Sequence, residues 1–298
     1  TYKDLKLFNK QEYIESLGVT AKVPEWGMAI KFVPMEATTS VEGIEWGVSK
    51  RKELAPVILL KPVFLDGSTV KRASGYNAGY IVNNKIGADT YVSVAKAGEI
   101  IPEVQSIVTE SVKSFDLPIN CFHCNTTLEF DGIHLICPND DCEGKIAKKL
   151  ASASTVLDLK NVGGKTLEPF AMDFKNMYEL MIAILQYCDL TTFSLVRYGI
   201  ADNSRSKEIF VNAFKNIKSL TYEQVIIILG YDNVGKKLSA QIAKEHCGLT
   251  PDYTGLERAL VTMLHENDVE TYIKTAVSTL EKLGITIDKP KLKIVNNM

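Results

Sequence analysis

The sequence predicts a multidomain α+β protein in which a small β-barrel, a compact metal-binding module and an all-helical domain follow one another. Strand-like segments are confined to about residues 36–116, four cysteines fall between positions 121 and 142, and helical patterns continue from about residue 147. A chain of 298 residues is long enough for two or three such domains, each with its own hydrophobic core.

Short segments rich in β-branched residues indicate the barrel. They lie at residues 57–60, 69–70, 90–94 and 106–108, and turns such as Asp66-Gly67 separate them. About five or six short strands in this length predict a small closed barrel, and the OB-fold is one such solution. We therefore assign residues 36–116 to an OB-fold.

The four cysteines form the most specific pattern in the chain, C-x2-C-x12-C-x4-C. Between the two pairs, apolar and polar residues alternate around Asp131-Gly132, a common hairpin turn that would bring the pairs together. Four thiolates at this spacing typically hold a structural Zn²⁺ in a closed site that leaves no position for a substrate. Two disulfides or four unrelated thiols are the alternatives. The predicted zinc finger spans residues 117–146, and its ligands are Cys121, Cys124, Cys137 and Cys142.

Two turns in the helical region share the pattern Asn-Val-Gly-x-Lys, at residues 161–165 and 233–237. A glycine there allows a tight turn and exposes the first amides of the next helix to a phosphate oxygen, while the lysine adds positive charge. This is typical of helix-hairpin-helix units, which contact the duplex backbone without reading bases. A helix C-cap glycine beside a solvated lysine is the alternative. The candidate DNA-binding residues in this predicted helix-hairpin-helix domain (147–298) are Gly163, Gly164, Lys165, Gly235, Lys236 and Lys237.

The composition indicates a globular protein without a strong bulk charge. The formal net charge is −2, which does not by itself favour a nucleic-acid partner, although a local basic patch can override the sum. No apolar run has the length of a membrane span, and the opening residues contain no apolar signal region. Cys188 and Cys247 have the context of ordinary buried thiols, so we expect a reducing, cytoplasmic location and no membrane partner.

Residues 16–33 carry a further motif. Their sequence SLGVTAKVPEWGMAIKFV matches L-G-x-T-A-(R/K)-x-P-x-W-x-x-A-x-K-F, the last nucleotide-binding motif of bacterial-type NAD-dependent DNA ligases. Residues 95–102 (AKAGEIIP) resemble the family's R-A-G-D-V-I-P segment, and the cysteines and hairpin turns follow in the family's order. The chain thus resembles the C-terminal portion of such a ligase, and residues 1–35 resemble the end of its nucleotidyltransferase domain, a fragment of that domain's sheet.

The resemblance implies a reaction. In this family a lysine attacks NAD at the α-phosphorus, the adenylate moves to the 5′-phosphate of a nick, and the 3′-hydroxyl displaces AMP to seal the strand, with Mg²⁺ offsetting the phosphate charge. By position, Lys31 and Lys6 match catalytic lysines, although the Asp-Gly that precedes the family's counterpart of Lys6 is absent. Lys31, Lys22 and Trp26 match cofactor-binding positions. A solvated strand lysine is the alternative for Lys31.

The family's nucleophile motif, Lys-x-Asp-Gly, does not occur in this sequence. Phe64 and Glu129 occupy the lysine position before its two Asp-Gly pairs. We therefore expect a second chain to supply the nucleophile, as in a split, phage-like ligase in a bacterial or phage-infected host cytosol. A piece of a longer ligase is the other explanation. The alternative function is a non-catalytic DNA-binding accessory protein of replication or repair.

Cations of the barrel complete the predicted contact with nicked duplex DNA. The candidates are Lys50, Arg51, Lys71, Arg72 and Lys96. A solvated loop is the alternative for each of them. The helix after the last cysteine, with Lys145, Lys148 and Lys149, is expected to add basic surface. Two further units, at residues 201–206 and 264–268, lack the glycine-rich turn, so we expect a shallower salt dependence than four working hairpins would give.

Overall fold

The computed structural model describes residues 34–97, 101–187, 194–202, 204–232, 234–246 and 269–290. The strands are β1 (Glu36–Val48), β2 (Glu53–Leu65), β3 (Ser68–Ser74), β4 (Tyr91–Ala97), β5 (Ile101–Thr109), β6 (Glu129–Phe130), β7 (Leu135–Ile136), β8 (Ser219–Thr221) and β9 (Thr286–Asp288). The α-helices are α1 (Ala78–Asn83), α2 (Glu143–Val156), α3 (Gly164–Leu167), α4 (Met177–Tyr187), α5 (Arg205–Lys215), α6 (Tyr222–Ile228), α7 (Lys236–His246) and α8 (Val269–Lys282). Short 3₁₀ turns lie at Glu168–Met172 and Val196–Tyr198.

The first five strands close into a barrel. Their order is β1-β4-β5-β3-β2, and an antiparallel pairing of β1 with β2 joins the ends. The contact between β3 and β5 is parallel, and α1 lies between β3 and β4 in the chain. A five-stranded barrel of this kind is the OB-fold, so the predicted barrel is confirmed.

Alternating burial explains why β2 is a strand. Ile58 and Leu60 are almost fully buried in the barrel core, while the residues on either side of each are more exposed. Ile81 of α1 is also fully buried and lies in the same core. The predicted segment at residues 57–60 therefore lies at the centre of the barrel core.

The predicted hairpin between the cysteine pairs is also present. β6 and β7 are antiparallel, and the carboxylate of Asp131 accepts hydrogen bonds from the amides of Ile133 and His134. Gly132 takes a φ of 93°, a left-handed conformation that favours glycine. Because β7 also pairs with β2, the hairpin extends the barrel sheet to seven strands.

The remaining helices share one hydrophobic core. The ring of Phe170 stacks on Tyr198 with centroids 4.0 Å apart and on Phe210 with centroids 5.1 Å apart. Helix α2 contributes Leu150 to this core and runs without a break across the boundary expected at residues 146–147. No described helix is long and apolar enough to cross a membrane.

Candidate metal centre and nucleic-acid interface

The four cysteines of the C-x2-C-x12-C-x4-C pattern converge. Their sulfur atoms all lie within 4.8 Å of one another, with 3.7 Å between Cys121 and Cys142 and 3.5 Å between Cys124 and Cys137. A disulfide needs about 2.05 Å, so the disulfide alternative does not describe this arrangement. Sulfur atoms at about 2.3 Å from a tetrahedral Zn²⁺ would be about 3.8 Å apart, so this donor set fits zinc.

Backbone hydrogen bonds hold the cysteines in these positions. The amide of Asn125 donates to the carbonyl of Cys121 at 2.9 Å and tightens the first Cys-x-x-Cys turn. The amide of Cys137 donates to the carbonyl of Lys52, at the entry to β2, also at 2.9 Å. Cys142 is the N-cap residue of α2, and the amide of Ile146 donates to its carbonyl at 3.0 Å. Cys137 is therefore held by the barrel, and Cys142 is held by the first helix of the helical domain.

Burial shapes the protonation of the thiols. It raises the pKa of Cys137 and of Cys142 above the ordinary thiol value. Burial would also raise the pKa of Cys124, but hydrogen bonds with Thr126, and smaller contributions from Cys137 and Asn139, together outweigh it and lower that pKa to about 6. A divalent metal binds thiolates and releases their protons, and it would relieve the cost of burying these groups.

Two turns of the helical domain have the same backbone hydrogen bonds; we call residues 159–165 the first hairpin turn and residues 231–237 the second hairpin turn. The carbonyl of Gly163 accepts from the amides of Thr166 and Leu167, each at 3.1 Å. The carbonyl of Gly235 accepts from the amides three and four residues later, at 3.1 and 2.9 Å. Each glycine thus begins the following helix, α3 or α7, rather than ending the preceding one. The amides of the two residues after each glycine come before these bonds, at the end of a helix where amides have no acceptor within the helix itself.

The charged side chains of both turns face solvent. Lys165, Lys236 and Lys237 are exposed, and so is Gly164. Val162 is buried in the helical core beneath the first turn, and Val234 packs against the same core beneath the second. The valine of the shared pattern is therefore the anchor, and the glycine and lysine are the surface groups.

Lys50 and Arg51 lie in the turn between β1 and β2. Both are exposed, and both line a cavity of about 110 Å³ whose other wall includes Tyr231 and Gly235 of the second hairpin turn. The structure therefore brings a basic turn of the barrel and one hairpin turn to the same cavity.

Of the other barrel cations, Arg72 and Lys96 are held by partners within the protein. The guanidinium of Arg72 forms an ion pair with Glu45, whereas Lys71, next to it in β3, points to the opposite side of the strand. Among the described residues, Lys71 has no ion-pair partner. The ammonium of Lys96 donates to the carbonyl of Asp66 at 2.7 Å, and its side chain is only 13% exposed. These three residues therefore do not form one basic patch.

The expectation of a basic surface on α2 is wrong for two of its three lysines. Lys145 is 1% exposed and Lys149 is half-buried, and both pair with Asp232. Lys148 is exposed, as expected. Asp232 was not among the predicted site residues, although it lies in the second hairpin turn. An acidic residue inside a predicted DNA contact is unusual, and that was the signal in the sequence that could have identified it.

In the predicted unit at residues 201–206, side chains of the protein already cap the start of the helix. The side chain of Ser204 accepts from the amide of Lys207 at 3.1 Å at the start of α5, and Asp202 accepts from the ammonium of the same lysine. The unit at residues 264–268 lies outside the described residues. So do the predicted nucleotide-site residues Lys6, Lys22, Trp26 and Lys31.

Comparisons with known proteins agree with the barrel and extend beyond it. The sequence pattern of the NAD-dependent DNA ligase OB-fold domain matches residues 38–115. The chain is 28% identical over 240 residues to a DNA ligase of Finegoldia magna, which covers 78% of this chain and 35% of that protein. It is 32% identical over 237 residues to a DNA ligase of Clostridium kluyveri (76% and 35%) and 28% identical over 298 residues to one of Clostridium novyi (94% and 43%).

The chain spans less than half of the length of these curated relatives. The similarity nevertheless extends well past the matched OB-fold, because it covers three quarters or more of this chain. The chain is therefore homologous to a C-terminal portion of the NAD-dependent DNA ligases, the portion that includes their OB-fold domain.

Proposed function

We propose that this chain is the DNA-binding part of an NAD-dependent DNA ligase that seals nicks between a 5′-phosphate and a 3′-hydroxyl in duplex DNA. One observation carries the proposal: a ligase-type OB-fold is followed by two turns with the same hydrogen-bond pattern and exposed lysines. This combination supplies what backbone recognition requires, namely amide donors and positive charge presented on rigid elements.

DNA binding by this chain is electrostatic and independent of base sequence. At the hairpins, first-turn amides and the exposed Lys165 and Lys237 would contact phosphates, and Lys50 and Arg51 would do so from the barrel. Each neutralised phosphate releases counterions, which makes affinity fall as salt rises. The four cysteines would hold Zn²⁺ as a structural ion that fixes the finger between barrel and helical domain.

The adenylation step of the family needs a nucleophilic lysine in a Lys-x-Asp-Gly motif, and this sequence does not contain that motif. We propose that a second chain carrying Lys-x-Asp-Gly supplies it and that NAD, with Mg²⁺, supplies the adenylyl group when bound. By their resemblance to the ligase motif, Lys31, Lys22 and Trp26 would contact that nucleotide, with Lys6 beside them. The contribution of this chain is to bind the nicked duplex and hold the break in register.

Reconstitution tests the proposal. This chain is mixed with a partner bearing Lys-x-Asp-Gly, NAD and Mg²⁺, and the conversion of a labelled nicked duplex to sealed product is measured on a denaturing gel. We expect sealing that needs both chains and is lost when the partner lysine is changed to alanine. Lys31→Ala in this chain should abolish sealing while leaving duplex binding in place.

Other outcomes separate the alternatives. Either of two results, duplex binding without sealing by any such mixture or sealing that Lys31→Ala leaves unchanged, would identify a non-catalytic accessory protein. Failure to bind duplex DNA at about 50 mM salt, where phosphate contacts are strong, would contradict the DNA-binding role itself.

A further inference from the structure

Lys145 has an unusual environment for a lysine. It is 1% exposed and is among the largest fully buried side chains in the described part of the chain. Its ammonium lies 2.9 Å from a carboxylate oxygen of Asp232 and 3.2 Å from one of Asp140. A buried ammonium is tolerated only where such partners replace its water, so Lys145 and Asp232 hold each other in place.

The contact continues as a line of alternating charges. Asp140 also pairs with Lys52 at the barrel, and Asp232 also pairs with Lys149, which lies 2.6 Å away and donates to the carbonyl of Gly230 at 2.8 Å. Five charged groups thus connect the barrel, the cysteine loop, α2 and the second hairpin turn. Of the two carboxylates, Asp140 is the more exposed, so the contact of Lys145 with Asp232 is the less screened.

Lys145 is also tied to the metal centre through the backbone. It lies three residues after Cys142, in the first turn of the helix that this cysteine caps. The position of Cys142 therefore sets the start of α2 and with it the position of the Lys145 side chain. At the other end, Asp232 precedes Gly235 by three residues, and the Gly235 carbonyl begins α7.

Within the described part of the chain, the first hairpin turn has no such ion pair, and its link to α2 is instead a buried hydrogen bond from the hydroxyl of Ser154, near the far end of that helix, to the carbonyl of Val162. The residue that corresponds to Asp232 in the shared pattern is Lys160, which pairs with Asp158 at the surface, where both side chains are more than three quarters exposed. The two turns therefore have the same backbone hydrogen bonds but different supports. This difference gives an internal comparison within one molecule.

We propose that Lys145 is a positioning residue that transmits the geometry of the four-cysteine centre to the second hairpin turn. Zinc occupancy then controls how firmly that turn is presented. The effect on DNA affinity rests on the proposed function, whereas the effect on the turn itself does not.

The first experiment measures amide hydrogen exchange in the full chain, with and without a zinc chelator. We expect chelation to speed exchange in the second turn, at residues 234–239, more than in the first turn, at residues 162–167. Lys145→Met should speed exchange in the second turn already in the zinc-loaded protein, and chelation should then add little. Lys148→Met removes the same charge from the same helix at an exposed position and should behave as the unmodified chain.

The second experiment measures binding to a nicked duplex as a function of salt. Lys145→Met should weaken binding about tenfold at constant zinc content, with an unchanged slope of log affinity against log salt, because the buried ammonium touches no phosphate. Lys145→Arg, which keeps the charge, should restore part of the loss. If Lys145→Met does not fold, Asp232→Asn removes the same contact from the other side with little change in shape.

Any of four results would overturn the proposal. The first three are unchanged exchange in the second turn of Lys145→Met, equal acceleration in both turns, and a salt slope lower by about one phosphate contact. Additive effects of chelation and Lys145→Met on exchange would do the same, since two changes acting through one link must be non-additive. If the unmodified chain binds no duplex, the proposed DNA-binding role is wrong. The exchange data still decide whether Lys145 couples the four-cysteine centre to the second hairpin turn.

Discussion

At the residue scale, Asp232 shows how an acidic group can lie in a surface that we propose binds phosphate. Its carboxylate points inward, to Lys145 and Lys149, and leaves the exposed lysines of the turn free for phosphate. Burial would raise the pKa of Asp232, but hydrogen bonds from Lys149 and Lys145 outweigh it and hold the pKa below the ordinary carboxyl value. The ionised form is therefore the one that stabilises the fold.

A pH-dependent effect of Asp232→Asn follows. A carboxyl whose pKa is depressed by folding contributes stability that is fully present above its unfolded pKa of about 3.9 and is lost as the pH falls through the folded value. We expect Asp232→Asn to lower the free energy of unfolding by about 1–2 kcal/mol at pH 7, a modest figure because solvent partly screens the pair. The difference from the unmodified chain should shrink as the pH falls below about 4.

Urea unfolding at several pH values measures this. Asp158→Asn is the matched control, because Asp158 pairs with Lys160 at the surface and should change stability by less than about 0.5 kcal/mol. A loss in Asp232→Asn that stays constant from pH 7 to pH 3 would contradict the ion-pair explanation.

At the element scale, the loop between α1 and β4 depends on a glycine. The amide of Gly87 donates to the hydroxyl of Thr90 at 2.8 Å, and a β-carbon on Gly87 would lie 2.1 Å from the carbonyl oxygen of Lys113. A backbone oxygen at that distance cannot be avoided by a side-chain rotation. The loop and the segment after β5 therefore pack together only with glycine at this position.

Gly87→Ala should accordingly lower the free energy of unfolding by about 1–3 kcal/mol, the range for overpacking a tight site. Gly47→Ala in β1 is the control, because no atom lies within 4 Å of the β-carbon position, and we expect a change of less than about 0.5 kcal/mol. Thermal and urea unfolding of both variants measure the difference, and equal losses would show that the contact of Gly87 with Lys113 is not the cause.

The hairpin turns give a prediction about DNA. Lys237 is exposed at the start of α7, where a phosphate would meet both its charge and the free amides of the first turn. Lys237→Ala should reduce the slope of log affinity against log salt by about 0.9, the value for one lost phosphate contact. Lys282→Ala, at an exposed position near the end of α8, removes an equal charge and should leave the slope unchanged. Equal slopes for the two variants would remove Lys237 from the interface.

At the scale of the whole molecule, the metal centre joins two cores. Cys121, Cys137 and Cys142 pack with Val48 and Leu54 of the barrel, while the helix that follows Cys142 enters the helical core. Loss of the metal should therefore weaken both neighbours. A zinc concentration a thousandfold above its Kd stabilises the folded chain by about 4 kcal/mol, and a chelator should remove that amount.

Cys137→Ser tests this together with chelation. We expect the variant to lose bound zinc, measured by elemental analysis, to melt at a lower temperature, and to become sensitive to proteolysis between residues 117 and 142. Cys188→Ser changes a cysteine outside the quartet and should retain one zinc per chain. Full zinc content in Cys137→Ser would exclude Cys137 as a ligand.

The sequence was informative wherever the signal is local. The strand at residues 57–60 and the turn at Asp131-Gly132 follow from alternation and turn chemistry, and the cysteine cluster follows from spacing. The burial of Lys145 could not be foreseen, because its partner Asp232 lies 87 residues away. The pairing of Arg72 with Glu45, 27 residues apart, was hidden for the same reason. Charge on a surface depends on contacts that only the folded chain creates.

The pairing of β7 with β2 has a mechanical consequence. A strand of the finger is hydrogen-bonded into the barrel's own sheet, and the amide of Cys137 donates to the carbonyl of Lys52. A rotation of the finger relative to the barrel would have to break these main-chain bonds. If the protein closes around a DNA duplex, we therefore expect barrel and finger to move together and the bend to lie elsewhere along the chain.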